Sequence, residues 1–142
     1  MRISEVLRAK GGEVISVSPD STVRDLVALL ADRNIGAVLV STADNPVAGI
    51  VSERDVVRGL AGGVDVLDRP VSDIMTSSVE TAEPEQSVHE LARLMTLHRI
   101  RHVPVVADGD LVGIVSIGDV VKSRIDELEF ERDQLESYVS KP

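Results

Sequence analysis

The sequence predicts a mixed α/β (α+β) fold: two β-α-β-β-α repeats packed through their sheets with pseudo-twofold symmetry, followed by a long C-terminal helix. The main observation is an internal copy, since the stretch GIVSIGDVV at 113–121 resembles GIVSERDVV at 49–57. The segments that precede the two copies also correspond, which defines a unit of about sixty residues. A unit of this size is too small to bury its sheet alone, so we expect the two units to share a core.

The elements of the first repeat follow from the spacing of its apolar residues. Val23, Leu26, Val27 and Leu30 form the stripe of an amphipathic helix, while the continuous apolar run 37–40 is typical of a strand covered on both faces. In order, we predict a turn of helix at 3–7 ended by Lys10-Gly11-Gly12, a strand at 13–17, a helix from Val23 to Asn34-Ile35-Gly36, strands at 37–40 and 47–51, and a helix from Ser52 to about Leu60.

The second repeat shows the same order of elements. Val71–Met75 corresponds to 3–7, Val79–Thr81 is the predicted first strand, and Asp108-Gly109-Asp110 is the predicted hairpin turn. Three glycines and a proline between Gly59 and Pro70 indicate the connection between the repeats. The predicted organisation is a first repeat at 1–62, a linker at 63–70, a second repeat at 71–124 and a C-terminal helical extension at 125–142.

Composition excludes several classes of protein. The chain is 43% hydrophobic but has only two aromatic residues, Phe130 and Tyr138, so its core must be aliphatic. The absence of cysteine excludes disulfides, thiolate catalysis and cysteine-based zinc sites. A formal net charge of -9 disfavours nucleic acid and anionic membranes as partners, and no apolar run approaches the roughly 20 residues of a membrane helix. We therefore expect a cytoplasmic protein.

The repeated stretches each place a serine at a helix start and an aspartate in the first helical turn. Ser52 with Asp55, and Ser116 with Asp119, fit ordinary helix capping. Unpaired backbone N–H groups and the helix dipole also make such a helix start suitable for an anion. Two copies in register within one chain favour a binding site over capping alone.

The chain resembles the CBS domain family, named after cystathionine β-synthase. The motifs that carry the resemblance are Asp73-Ile74-Met75-Thr76, Arg101-His102-Val103-Pro104-Val105-Val106 and the two Gly-x-x-Ser-x-x-Asp stretches, and together they span roughly residues 1–122. The resemblance implies a regulatory pair of CBS domains that binds an adenosine-containing ligand such as AMP, ADP, ATP, NAD(H) or S-adenosylmethionine. It also implies a homodimer that signals energy or cofactor state to an unknown downstream protein.

The resemblance also implies roles for individual residues. Asp55 and Asp119 match the aspartate that accepts hydrogen bonds from the ribose hydroxyls, and the two motif serines lie beside the ligand. The purine is expected to contact backbone of the first and middle strands of each repeat, at 14–16, 35–37, 79–81 and 100–102. The predicted ligand-binding residues are Ser16, Ile35, Ala37, Ser52, Arg54, Asp55, Val79, Thr81, Arg101, His102, Val103, Pro104, Ser116 and Asp119.

Phosphates require cations, and the two repeats differ in what they offer. The second repeat has a dense basic cluster at His98, Arg99, Arg101 and His102, whereas the first has Arg54 within its motif. The alternative is that these charges are solvated or paired with nearby acids. The asymmetry predicts two sites that differ in affinity or ligand.

The C-terminal segment and the rival functions leave alternatives open. Val121, Ile125, Leu128, Arg132, Leu135 and Val139 follow a heptad spacing that Arg132 interrupts, which fits either a dimer contact or a helix that folds back over its own module. No metal or catalytic site is expected, because the histidines have no metal-ligand spacing and neither Ser/Asp pair has a histidine in its motif. The alternative function is a protein-interaction adaptor that works without nucleotide.

Overall fold

The computed structural model describes residues 1–140, and residues 141 and 142 of the predicted extension lie outside this range. The mixed α/β fold with a long C-terminal helix is confirmed. The elements are α1 (Ile3–Lys10), β1 (Ser16–Val17), α2 (Val23–Arg33), β2 (Ala37–Val40), β3 (Gly49–Ser52), α3 (Glu53–Leu60), α4 (Val88–His98), β4 (His102–Ala107), β5 (Asp110–Ser116) and α5 (Ile117–Val139), with 3₁₀ turns at Val64–Asp68 and Val71–Asp73.

The first half forms a three-stranded sheet in the order β1-β2-β3. The central strand β2 runs parallel to β1 and antiparallel to β3, and all four of its residues are buried, as its apolar run predicts. Asn34 ends α2 in the left-handed conformation, with φ 52°, and this reversal directs the chain into β2. The first strand is shorter than the predicted 13–17.

The second half forms a hairpin of β4 and β5 around Asp108 and Gly109, both with positive φ. The strand predicted at Val79–Thr81 is wrong, because only Ala82 bridges β4 there. Ala82 N–H donates to the Pro104 carbonyl at 3.0 Å. To extend this parallel pairing toward Glu80, the backbone N–H of residue 104 would have to donate to the Glu80 carbonyl, but proline has no N–H. The first half has Leu39 at this position, and its N–H donates to the Ile15 carbonyl at 3.3 Å.

Each half has its own aliphatic core, in place of the shared core expected from the sequence, and each core is completed by residues at or just before the start of the other repeat. Ile3 and Val6 of α1 are buried in the core of the second half, whereas Val66 and Val71 are buried in the core of the first. Backbone hydrogen bonds fix both segments: Ile3 N–H to the Gln86 carbonyl at 2.9 Å, and Val71 N–H to the Ser21 carbonyl at 2.7 Å. We call this arrangement the segment exchange.

The C-terminal helix α5 is continuous over 23 residues. The N-terminal part of α5 contacts the rest of the protein. There Ser123 is buried, and Glu127 pairs with the N-terminal ammonium of Met1 at 3.1 Å. Every described residue after Glu127 is exposed, so the helix does not fold back over its module. Among the described residues, no helix combines the length and apolar character needed to cross a membrane.

Candidate functional site

Both repeated Ser/Asp pairs are capping boxes at helix starts. In the first half, Ser52 N–H donates to Asp55 Oδ2 at 2.8 Å and Asp55 N–H donates to Ser52 Oγ at 3.3 Å. The second half repeats this arrangement, with Ser116 N–H to Asp119 Oδ2 at 2.8 Å and Asp119 N–H to Ser116 Oγ at 3.2 Å. Helix capping is therefore one role of these residues, but Oδ1 of each carboxylate takes no part in these bonds.

A central cleft of about 280 Å³ brings the two halves together. It contains six of the predicted ligand-binding residues: Ala37, Ser52, Arg54, Asp55, Arg101 and His102. It also contains His98 and Arg99 of the predicted basic cluster, and Gly36 and Ile100 of the segments expected to contact the purine. The structure adds four others: Ile50, Glu53, Arg58 and Thr76. The first Ser/Asp pair therefore faces the basic cluster of the opposite half.

The central cleft is basic within an acidic protein. Four guanidinium groups line it, from Arg54, Arg58, Arg99 and Arg101, against the carboxylates of Glu53 and Asp55. No ion pair between described residues engages any of these four arginines. Pairing with nearby acids is therefore not observed for these four arginines, although His98 Nε2 lies 3.8 Å from Glu80 Oε1, and the guanidinium groups are available to an anionic ligand.

His102 lies where the two halves meet. A Cβ on Gly36 of the first half would lie 3.6 Å from His102 Cε1 and 3.3 Å from Glu53 Oε1. Burial lowers the pKa of His102, and the positive charges of Lys10 and Arg101 lower it further, against the opposing carboxylates of Asp119 and Glu53. The imidazole therefore favours its neutral form, which can both donate and accept a hydrogen bond.

The second Ser/Asp pair has a different partner. Lys10, the last residue of α1, donates from Nζ to Asp119 Oδ2 at 2.7 Å and to the Ile114 carbonyl at 2.8 Å. Burial alone would raise the pKa of Asp119, but the hydrogen bonds from Lys10 and Ser116 outweigh it, so the pKa lies below its ordinary value. Asp119 lines a groove of about 470 Å³ between α1 and α5, and neither Ser116 nor Asp119 lines the central cleft.

The structure does not bring the remaining predicted residues to the central cleft. Ser16 is exposed on β1, Val79 is half-buried, and Thr81 lines an open groove along α4. The other three belong to the interior: Ile35, which packs on the first core, and the buried β4 residues Val103 and Pro104. No close group of three His, Asp or Glu residues fit for a metal ion occurs within the described part of the chain.

Sequence reasoning missed Lys10, Arg58 and Thr76. Lys10 was interpreted only as part of a helix end, although the segment exchange carries it to the second half. One signal was available in the sequence. When Leu7 is aligned with Met75, Lys10 of the first repeat corresponds to Ser78 of the second, so only one of the two repeats has a charged residue at this position. Arg58 lies one helical turn beyond Arg54 on α3, a spacing that places both side chains on one face.

Comparison with known proteins agrees with the fold and the repeats. The chain matches the CBS domain model twice, over residues 3–62 and 71–126. It superimposes on the CBS-domain containing protein ATU1752 from Agrobacterium tumefaciens with a TM-score of 0.85 and 42% identity, covering 87% of this chain and 99% of that one. The mitochondrial CBS domain-containing protein CBSX3 of Arabidopsis thaliana is 37% identical over 146 residues, covering 96% of this chain and 71% of the relative.

A third similar protein has a ligand in its structure. The CBS domain protein PAE2072 from Pyrobaculum aerophilum, complexed with AMP, has a TM-score of 0.75 and 37% identity, covering 84% of this chain and 89% of that one. The two model matches, the repeated capping boxes and these structural likenesses agree on one assignment. The chain belongs to the CBS domain family, as a pair of CBS domains.

Proposed function

We propose that this protein is a regulatory module that binds an adenine nucleotide, AMP, ADP, ATP or NAD(H), in the central cleft. One observation carries the proposal: the cleft joins Ser52 and Asp55 of the first half to the basic segment 98–102 of the second. A single ligand can then contact both halves, with its sugar at one side and its phosphates at the other.

Asp55 is the proposed ribose partner. Its Oδ2 accepts from the backbone N–H and the hydroxyl of Ser52, at 2.8 and 3.1 Å, which fixes the carboxylate at the start of α3. A carboxylate so fixed retains lone pairs for further donors, and the two hydroxyls of a cis-diol are suitable donors. Aliphatic Ile50 and Ile100 border the cleft and provide apolar surface for a purine.

The phosphates are proposed to contact guanidinium groups from both halves. Arg54 and Arg58 extend from α3, while Arg99 and Arg101 flank the start of β4. Guanidinium groups bind phosphate through paired N–H donors, so four such groups suit an anion better than a neutral nucleoside. A ligand that bridges the halves would favour one arrangement of the pair by its higher affinity for that arrangement.

The AMP in the PAE2072 structure supports an adenine nucleotide as the ligand class. The proposed partners are an unknown downstream protein and a second copy of this chain in a homodimer, with no part for nucleic acid and no catalysis. A cytoplasmic location remains a prediction. The alternative, a protein-interaction adaptor that needs no nucleotide, predicts that the central cleft stays empty whatever nucleotide is added.

Mass spectrometry of ligand that co-purifies with the protein tests the ligand class without a prior choice of compound. Calorimetric titration with AMP then tests the site, using Asp55→Asn, Arg101→Gln and the matched control Asp44→Asn, an exposed turn residue outside the cleft. We expect Asp55→Asn to weaken binding at least about tenfold, because a hydrogen bond to a charged group is worth roughly 1.5–3 kcal/mol. Unchanged binding by Asp55→Asn would refute the assigned site, and no binding by any form would favour the adaptor.

A further inference from the structure

We propose that Lys10 closes the second Ser/Asp pair to ligand, so that nucleotide occupies the Asp55 site first and the Asp119 site only when Lys10 is displaced. This inference rests on the proposed function, since it concerns the order in which two ribose-binding carboxylates are used. The evidence is the difference in hydrogen bonding between two pairs that are otherwise alike.

The two carboxylates differ by one donor. Asp55 Oδ2 accepts two hydrogen bonds, both from Ser52. Asp119 Oδ2 accepts the two equivalent bonds from Ser116, at 2.8 and 3.0 Å, and a third from Lys10 Nζ at 2.7 Å. Asp119 therefore already carries a charged donor on Oδ2, and the Lys10 ammonium neutralises the carboxylate that a ribose would otherwise meet as a free anion.

Lys10 is held at this position by a second contact. Its ammonium also donates to the Ile114 carbonyl at 2.8 Å, and the side chains of Lys10 and Asp119 are only 32% and 21% exposed. A half-buried ion pair with a fixed geometry is screened less by water than one on the open surface. A ligand that takes Asp119 must therefore replace both the charge and the hydrogen bonds of the ammonium.

In the first half, no ion pair between residues 1–140 engages Asp55. There the carbonyl of Ile50, the counterpart of Ile114, accepts from the backbone N–H of Thr76 at 2.8 Å. The residue that corresponds to Lys10 in the alignment of the repeats is Ser78, which carries no charge. The segment exchange thus occurs on both halves but differs in detail, and it places an ammonium on only one of the two carboxylates.

Closure by Lys10 also connects the second site to α1. Lys10 is the last residue of α1, and Gly11 follows in a conformation with φ 95° that ends the helix. Displacing Lys10 from Asp119 breaks the polar contacts that join the last residue of α1 to β5 and α5, so that the end of α1 is held by apolar packing alone. Occupancy of the second site at high ligand concentration would therefore loosen the N-terminal segment, whereas occupancy of the first would not.

The test isolates the second site by titrating AMP into variants that carry Asp55→Asn. In this background we compare native Lys10 with Lys10→Gln and Lys10→Met, which remove the charge, and with Lys10→Arg, which keeps it. Lys122→Gln is the matched control, because Lys122 lines the same groove as Asp119 but the ion pair to Asp119 comes from Lys10. Circular dichroism verifies that each variant is folded. Because two neutral substitutions are compared, the test still works if one of them fails to fold.

We expect Lys10→Gln and Lys10→Met to tighten AMP binding at the second site about tenfold, equivalent to about 1.4 kcal/mol. Lys10→Arg and Lys122→Gln should leave the affinity near that of the Asp55→Asn protein. Unchanged or weaker binding by both neutral variants would overturn the closure by Lys10 while leaving the Asp55 site intact. Two equal affinities in the wild-type protein would overturn it as well, and no AMP binding by any variant would overturn this inference together with the proposed function.

Discussion

Leu7 packs so closely on Gly113 that a Cβ on this glycine would lie 2.6 Å from Leu7 Cδ2. The counterpart in the other half is Met75 on Gly49, where a Cβ would lie 2.6 Å from Met75 Sδ. These two contacts hold the exchanged segments on the opposite halves. They also explain why both repeats begin their motif with glycine, since a side chain there would force Leu7 or Met75 to move.

The two glycines should differ in their tolerance of alanine. A Cβ on Gly49 would also lie 3.0 Å from the Thr76 carbonyl, which is backbone and bonded to Ile50, whereas Gly113 faces only the flexible end of Leu7. We expect Gly49→Ala to lower the free energy of unfolding by roughly 1–3 kcal/mol, and Gly113→Ala to cost less. Urea denaturation checks this, with Gly118→Ala as the control because its Cβ would meet only Ser116 Oγ at 3.6 Å. Equal losses at Gly49 and Gly113 would contradict the prediction.

Stability should depend on pH through His102. Because burial and the nearby Lys10 and Arg101 lower its pKa from the ordinary 6.5, the folded protein binds fewer protons than the unfolded chain below about that pH. The free energy of unfolding should therefore fall as the pH drops through 6.5 and level off below the folded-state pKa. Urea titrations between pH 8 and pH 5 should show this slope, reduced in His102→Gln but retained in His89→Gln, an exposed control. Stability that rises on acidification through this range would refute it.

The exposed stripe of α5 should mediate self-association. Leu128 and Leu135 are 47% and 65% exposed and lie seven residues apart, the spacing of a helix-pairing seam. We expect the double variant Leu128→Ser and Leu135→Ser to shift the mass measured by light scattering from dimer to monomer. Phe130→Ser is the control, since Phe130 is also 65% exposed but lies off the stripe. A dimer that survives the double substitution would argue that another surface joins the copies.

Local pattern predicted the elements of this fold well, and contacts between distant segments explain what it missed. The helices, the buried strand β2 and both helix starts follow from periodicity and capping residues within a few positions of each other. The first strand of the second half failed at Pro104, a residue more than twenty positions away whose missing N–H interrupts the ladder. Predicting that failure required the register of two strands as well as their composition.

The candidate site divides in the same way. Ser52 and Asp55 could be predicted because a repeated motif marks them, and Arg101 and His102 because they belong to a dense basic cluster; the family resemblance assigns roles to all four. Lys10 could not be, because its importance depends on the segment exchange that brings α1 to Asp119, a residue 109 positions away. Neither periodicity nor charge within its own segment indicates that partner.

The segment exchange also has a consequence for synthesis on the ribosome. Ile3 emerges before the rest of the pair, but its buried neighbours in the second half extend as far as Val120. At typical rates of roughly 5–20 residues per second, α1 waits on the order of 10 s for the last of them. During that interval the first half also lacks Val66 and Val71 until the linker has emerged. The core of the first half can close once the chain has emerged to about Met75, whereas the core of the second half must wait for Val120, so α1 should stay undocked until nearly the whole pair has left the exit tunnel.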